Sequence, residues 1–302
     1  MCEKVKVRRM RLSTNASFAL PGLLLLSIAC ATPQPGSSSG AADTIEKIKA
    51  TKVIKLGYRE SSVPFSFKGS DGKPLGYTVD LCTRVVEGLG RDLAMPELRT
   101  EWVPVTPETR IGALVDGTID LECGSTTNTL SRQERVDFSN LTFVDGATLL
   151  SSVDSKLGSL ADLNGKRVAV IPGTTTERLL RETFVKAGLK TEIVPVKEHS
   201  EGLVAIDQHR ADAYASDRNI LVGLALTSSD PRRYTMIDRF LSYEPYGLML
   251  RRDPVFRLAV NRQLANIYRS GTVLDIYRKW FGAFGPPSDL LIAMYALYAL
   301  PE

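Results

Sequence analysis

A β-α-β-α-β order that runs once and then begins again constrains this chain more than anything else in it. VIKLGYR (53–59) reads as a buried strand, and GYTVDLCTRVVEGLGRDL (76–93) as an amphipathic helix with apolar residues at 79, 81, 82, 85, 86 and 89. ELRTEWVPV (97–105) is a second strand, TRIGALVDGTI (109–119) a second helix stopping near Gly117, and LECG (121–124) a third strand. After the long extended run TFVDGATLLSSV (142–153) and a helical turn at LADLNG (160–165), the order resumes. RVAVI (167–171) is a strand, PGTTTERLLRETFVKAGL (172–189) a glycine loop feeding a helix, and TEIVPV (191–196) a strand. SEGLVAIDQHRA (200–211) is a helix and DAYASD (212–217) a strand that ends on a carboxylate. YGLMLRRD (246–253) is extended, and residues 256–282 supply two closing helices.

Strands alternating with helices imply an α/β architecture in which each repeat is a mostly parallel sheet flanked by helices. Two repeats joined by extended runs near 142–153 and 244–251 imply two lobes with two crossover segments. The boundaries read as a first lobe over 44–145, a second lobe over 146–246, and a return to the first lobe over 247–287. A cleft should lie between the lobes, at the carboxyl ends of the strands. The length of 302 residues is ample for such a fold. The tail SDLLIAMYALYALPE (288–302) is apolar enough to pack on the body.

The first 43 residues belong to neither repeat. Lys4, Lys6, Arg8, Arg9 and Arg11 form a basic segment, ASFALPGLLLLSIA (16–29) an apolar one too short to span a bilayer comfortably, and Cys30 follows. This order predicts a signal peptide over 1–29 and an exported, cell-envelope or periplasmic protein. TPQPGSSSGAAD (32–43) reads as part of a flexible tether over 30–43. Cys30 before that tether resembles a bacterial lipoprotein cleavage site and is a candidate for lipidation. Ser27 departs from the usual Leu, and Ala29-Cys30-Ala31 fits ordinary cleavage as well. Any membrane contact would be through that anchor.

Charge narrows the partners. Removing residues 1–29 takes five basic residues and one acidic residue from the 38 Lys+Arg and 34 Asp+Glu, so the remainder is balanced. The formal excess belongs to the leader and argues against a nucleic-acid partner. Cys82 and Cys123, set among apolar residues, read as two buried thiols rather than a disulfide, and they lack metal-ligand spacing. No cofactor or metal motif is present.

The chemistry gathers where strands end. DLECGSTTNTLSRQERVDFS (120–139) runs from a strand into a turn of hydroxyl residues, Ser125 and Thr127 among them, and then reaches Arg132. Backbone N–H groups and a guanidinium in such a turn suit a small carboxylate. Arg59 follows the first strand and Arg110 starts the second helix. Gly173 to Glu177 places Thr175 at a helix N-terminus, where free N–H groups favour an anion. His199 begins another helix, and Asp217 ends a strand. Taken singly, each has an ordinary reading: surface ion pairs for the arginines, a solvated helix start for His199, an N-cap for Asp217. Converging on one cleft, three arginines and a histidine facing one aspartate match a zwitterion with two carboxylates and one ammonium. Among these residues Asp217 is the only counter-charge.

GYRESSVPFS (57–66), DGTIDLECGSTTN (116–128), GTTTE (173–177), YGLMLRRDP (246–254) and KWF (279–281) together resemble the family 3 periplasmic solute-binding proteins of the polar amino acid type. Within that family they are most similar to its glutamate/aspartate-binding members. The resemblance covers roughly 43–287. It implies a two-lobed periplasmic-binding-protein fold of type II, an acidic amino acid as ligand, and the membrane permease of an ABC transporter as partner. It also implies α-carboxylate contacts at Arg132, Thr127 and the Thr175 region, ammonium contacts at Asp217 and Ser125, and side-chain carboxylate contacts at Arg59, Arg110 and His199. Where the family has a serine three residues before the second arginine, this chain has Pro107, which removes one hydroxyl and bears on the choice between glutamate and aspartate. The rival expectation is an enzyme on the same fold, similar to a cyclohexadienyl or arogenate dehydratase, with Glu60 or His199 as acid or base. Arginines in the pocket should keep its carboxylates ionised and count against that rival. A receptor-only sensor is a third reading, which the lack of a membrane segment after the domain disfavours.

Overall fold

The computed structural model describes residues 44–301; the expected signal peptide, the expected tether and Cys30 lie outside them. Helix α1 (Thr44–Thr51) leads into β1 (Val53–Tyr58), then a small antiparallel ladder of β2 (Ser61–Ser62), β3 (Ser66–Lys68) and β4 (Pro74–Leu75). Next come α2 (Tyr77–Asp92), β5 (Arg99–Pro104), α3 (Arg110–Val115), β6 (Leu121–Glu122), α4 (Leu130–Gln133) and the long β7 (Asp137–Asp145). The second series is β8 (Ala147–Ser152), β9 (Arg167–Val170), α5 (Thr175–Ala187), β10 (Glu192–Pro195), α6 (His199–Asp207), β11 (Ala213–Asp217), α7 (Arg218–Thr227) and β12 (Tyr234–Met236). The chain then makes β13 (Glu244–Leu250), α8 (Pro254–Arg269), α9 (Thr272–Phe281) and α10 (Asp289–Tyr298).

Two five-stranded sheets result, in the orders β5-β1-β6-β13-β7 and β10-β9-β11-β8-β12. They are mixed, with most strands in each running in one direction as expected. In each, four strands run one way and one runs against its two neighbours, β13 in the first sheet and β8 in the second. These antiparallel pairings are made by the extended runs read as crossings: β7 and β8 are split at Gly146, and β13 returns between β6 and β7. Gly146 is where the first sheet hands over to the second. A Cβ there would lie 2.5 Å from Phe240 and 2.6 Å from the Ser242 carbonyl, so no larger residue fits without a shift.

The largest core cluster is organised by aromatic rings. Phe65, Tyr77, Phe143, Tyr246 and Phe281 are buried, with Phe143 4.9 Å from both Phe65 and Phe281 and Phe65 5.2 Å from Tyr246. Removing the ring of Phe281, which has no exposed surface, would cost about 3–5 kcal/mol. The cluster holds β7 and β13 against α9, and so sets where Tyr246 projects its hydroxyl.

One further finding departs from the sequence reading, and another agrees with it. Cys82 of α2 and Cys123, just after β6, form a disulfide rather than two free thiols. Nothing in their spacing signals this, because the helix and the strand end meet only through tertiary packing. The apolar tail is a helix: α10 buries Leu291, Met294 and Tyr295, and the Tyr295 hydroxyl lies 2.7 Å from that of Tyr77. Among the described residues, no helix is long and apolar enough to cross a membrane.

Candidate functional site

The carboxyl ends of the parallel strands open onto one cavity, the placement expected of an α/β ligand site. Its lining includes all eight residues singled out from the sequence: Arg59, Arg110, Ser125, Thr127, Arg132, Thr175, His199 and Asp217. Arg59 leaves the end of β1, Arg110 opens α3, and Ser125 and Thr127 sit in the turn after β6. Thr175 opens α5, His199 opens α6, and Asp217 closes β11. Arg132 lines the cavity, whereas Arg135 is exposed. Pro107 lines it as well. The cavity enclosed by this lining is tight, about 30 Å³ in volume.

Burial sets aside the ordinary surface readings. Arg59 is 2% exposed and Arg110 3%, so neither is a surface ion pair. The Arg59 guanidinium donates through Nη2 to Glu198 Oε2 at 3.0 Å, and Ser61 Oγ donates to the same oxygen at 2.5 Å. Arg110 donates through Nη1 to Thr126 Oγ1 at 2.5 Å, and Thr126 donates onward to Glu122 Oε2 at 2.8 Å. The Nε atoms of both arginines, both buried, have no hydrogen-bond partner. Burial and the neighbouring Arg132 and Arg59 push the Arg110 guanidinium down to about 9, still charged at neutral pH. Gly124 permits this crowding, since a Cβ would stand 2.2 Å from Glu122 Oε1 and 3.2 Å from Arg59 Cγ.

His199 is buried, not solvated, and shares a hydrogen bond through Nδ1 with the Tyr214 hydroxyl at 2.6 Å. Burial, then Arg59 and Arg110, hold its pKa well below the usual imidazole value. The ring is therefore neutral at neutral pH. Three arginines plus a cationic histidine is thus corrected to three arginines plus a neutral one. Asp217 is not the only counter-charge either, because Glu198, Glu122 and Glu244 pair with the arginines or the hydroxyls around the cavity.

Asp217 occupies the N-cap position of α7 yet makes no capping bond. Its Oδ2 instead accepts from the Tyr246 hydroxyl, and its Oδ1, buried, has no partner. Burial and the carboxylates of Glu244 and Asp145 push its pKa well above the usual range, against the pull of Tyr246 and Arg132. Burial, with these acidic neighbours, thus outweighs Tyr246 and Arg132 at Asp217, against the expectation that the arginines would dominate the cavity carboxylates. Opposite, Gly173 with φ of +74° turns the chain into α5, and the Thr174 side chain caps Glu177 N at 3.1 Å. Arg132 donates through Nη1 to the Thr127 carbonyl at 2.7 Å.

Glu122, Glu198, Tyr214, Glu244 and Tyr246 do not stand out in the sequence. All five are acidic or hydroxyl residues inside strands or beside a helix start, where local pattern carries no signal of burial. Glu60 is exposed and pairs with Lys68 at 3.2 Å. Among the described residues, no group of three or more His, Cys, Asp or Glu could hold a metal ion.

The profile of the bacterial extracellular solute-binding proteins, family 3, matches residues 54–283, and the chain belongs to that family. It is 38% identical over 273 residues to an L-glutamate/L-aspartate-binding protein of Pseudomonas aeruginosa, covering 89% of this chain and 90% of that one. It is 34% identical over 270 residues to a glutamate/aspartate import solute-binding protein of Escherichia coli, covering 89% of each. Among solved structures, an ancestral amino acid-binding protein that is a precursor of cyclohexadienyl dehydratase superposes with a TM-score of 0.70 at 30% identity, covering 79% of this chain and all of that one. An arginine-binding protein of T. maritima, in a mutant form, superposes at 0.71 with 25% identity, covering 79% and 99%. These relatives are binding proteins, not enzymes, although a dehydratase descends from one lineage on this fold.

Proposed function

We propose that this solute-binding protein captures glutamate or aspartate in its interlobe cleft and, once closed, presents it to the permease of an ABC uptake transporter. One observation carries the reading: the cavity is lined by buried donors and one buried acceptor that lack partners. Arg59 Nε and Arg110 Nε are the donors and Asp217 Oδ1 the acceptor. A buried polar atom without a partner costs roughly 1–3 kcal/mol, more for a charged group, so a ligand that satisfies all three is favoured by that amount at each. A dicarboxylic amino acid has the matching set, with a carboxylate for the two guanidinium groups and an ammonium for Asp217. The names of the Pseudomonas and Escherichia relatives support the same ligand.

In this reading the α-carboxylate goes to Arg132 and the Thr127 and Thr175 segments, and the ammonium to Asp217 and Ser125. The distal carboxylate goes to Arg59 and Arg110, with neutral His199 as a hydrogen-bonding neighbour. Closure follows from contacts that need both lobes at once, which shift the population toward the closed form. The test is Arg110→Ala. Glutamate affinity should fall at least tenfold while glutamine affinity falls much less, since a guanidinium favours a carboxylate over an amide by about 1–3 kcal/mol. Equal losses for both ligands would make Arg110 structural and leave a generic polar amino acid site.

A further inference from the structure

Besides Glu198, a second carboxylate outside the expected set touches both lobes. Glu244, 2% exposed at the start of β13, accepts through Oε2 from Thr127 Oγ1 at 2.5 Å and from Thr175 Oγ1 at 2.8 Å. Its Oε1 accepts from Ser242 Oγ at 2.5 Å. Thr127 follows β6 in the first sheet, and Thr175 opens α5 beside the second. A single oxygen can hold both hydroxyls only while the lobes are together.

A threonine hydroxyl has one proton to donate. Both threonines give it to Glu244, so neither has a side-chain donor left for a ligand carboxylate. Their backbones are differently placed. Thr127 sits opposite Tyr246 in an isolated antiparallel bridge, flanked by Asn128 N to Pro245 O at 2.7 Å and Gly247 N to Thr126 O at 3.2 Å. In that pattern the paired residue's own N–H and C=O face away from the partner strand. The Thr127 carbonyl meets the Arg132 guanidinium there, so its N–H lies on the same edge as that cation. Thr175 and Thr176 are the first two residues of the thirteen-residue α5, where N–H groups have no intrahelical partner and the dipole favours an anion.

We infer that Glu244 is a positioning residue that ties the closed lobes through the Thr127 and Thr175 hydroxyls, leaving those threonines to meet the ligand's α-carboxylate through backbone N–H groups alone. The inference rests on the amino acid reading of the cleft, and it separates two roles that one threonine would otherwise combine.

A double-mutant cycle tests it. Titration calorimetry of the wild-type protein with glutamate, aspartate, glutamine, asparagine and arginine first identifies a ligand; failure of the acidic pair there refutes the ligand reading alone. With whichever amino acid binds, Thr127→Val and Thr175→Val are each expected to weaken affinity about tenfold, and together little more than either, because each breaks the same bridge. In a Glu244→Gln background each valine should cost less than about threefold, since an amide left short of a donor is cheaper than a carboxylate. Thr127→Ser and Thr175→Ser should recover wild-type affinity to within about twofold, because the serine hydroxyl restores the donor. Ligand-free melts show that each variant is folded. Losses that multiply in the double variant and persist in the Glu244→Gln background would overturn the inference, because they would mean that the hydroxyls touch the ligand directly.

Discussion

Replacing Asp217 by asparagine separates binding from folding more sharply than any other single change. The carboxylate is buried, has one oxygen bonded to Tyr246 and the other unpartnered, and lies near Glu244 and Asp145. A bound ammonium that loses its carboxylate in a desolvated cleft costs about 3–5 kcal/mol. Two features of this site favour the lower end. Glu244 and Asp145 still supply negative potential, and burial already disfavours the charged form of the wild-type carboxyl. The expected loss is therefore about 3 kcal/mol, or roughly two orders of magnitude in affinity. The ligand-free protein should respond in the opposite direction. A carboxyl with a raised pKa contributes stability that is complete below its unfolded value and is lost as pH rises through the folded one. The Asp217→Asn protein has no such loss, so at alkaline pH it should melt at or above the wild-type temperature. Calorimetric titration and thermal melts of the same two proteins decide the matter. A variant that binds normally and melts lower would make Asp217 a helix cap and refute the reasoning.

Asp145 is pushed from 3.8 to about 7, chiefly by burial, so its neutral form stabilises the fold below about pH 4 and that contribution is lost as pH rises to about 7. Asp145→Asn should flatten the fall in stability across that window by on the order of 4 kcal/mol, measured by denaturation at several pH values. Glu198 reaches from the second lobe to Arg59 and Ser61, so Glu198→Gln should raise the glutamate dissociation rate about three- to tenfold with little change in association rate; stopped-flow traces with an unchanged off-rate would remove Glu198 from closure. The disulfide spans a sequence separation of 41, and replacing Cys82 and Cys123 by serine should lower the unfolding free energy by about 2–4 kcal/mol in denaturant titrations. Coincident transitions would show that the bond is not formed in solution.

The parts of the site that could be read from sequence are those that sit at element boundaries. Arg59, Arg110, His199 and Asp217 each stand where a period-2 run meets a period-3.6 run, and the chain's alternation brings such boundaries to one edge of a sheet. Their burial could not be read, because an arginine at a strand end looks the same whether it faces solvent or a cleft. For the same reason the carboxylates that pair with them went unseen: Glu122 is inside a two-residue strand, and Glu198 is separated by 139 positions from the arginine that it holds. His199 reads as a cation from sequence because its nearest neighbours in the chain are polar, yet its charge is decided by burial and by Arg59 and Arg110, which arrive from the other lobe. The sheet order shows the same limit. Alternation reported the parallel strands β1, β5 and β6 and missed that β7 and β13 add antiparallel pairings, since an extended run carries no mark of the direction in which it will pair.

The ligand is the central claim, and titration calorimetry of the purified wild-type protein tests it most directly. Glutamate and aspartate should bind with a single site, and glutamine and asparagine at least about tenfold more weakly, since the amide offers donors to Arg59 and Arg110 where a carboxylate offers acceptors. Equal or tighter binding of glutamine would contradict the account, because the unpartnered guanidinium nitrogens could not then be what selects the ligand.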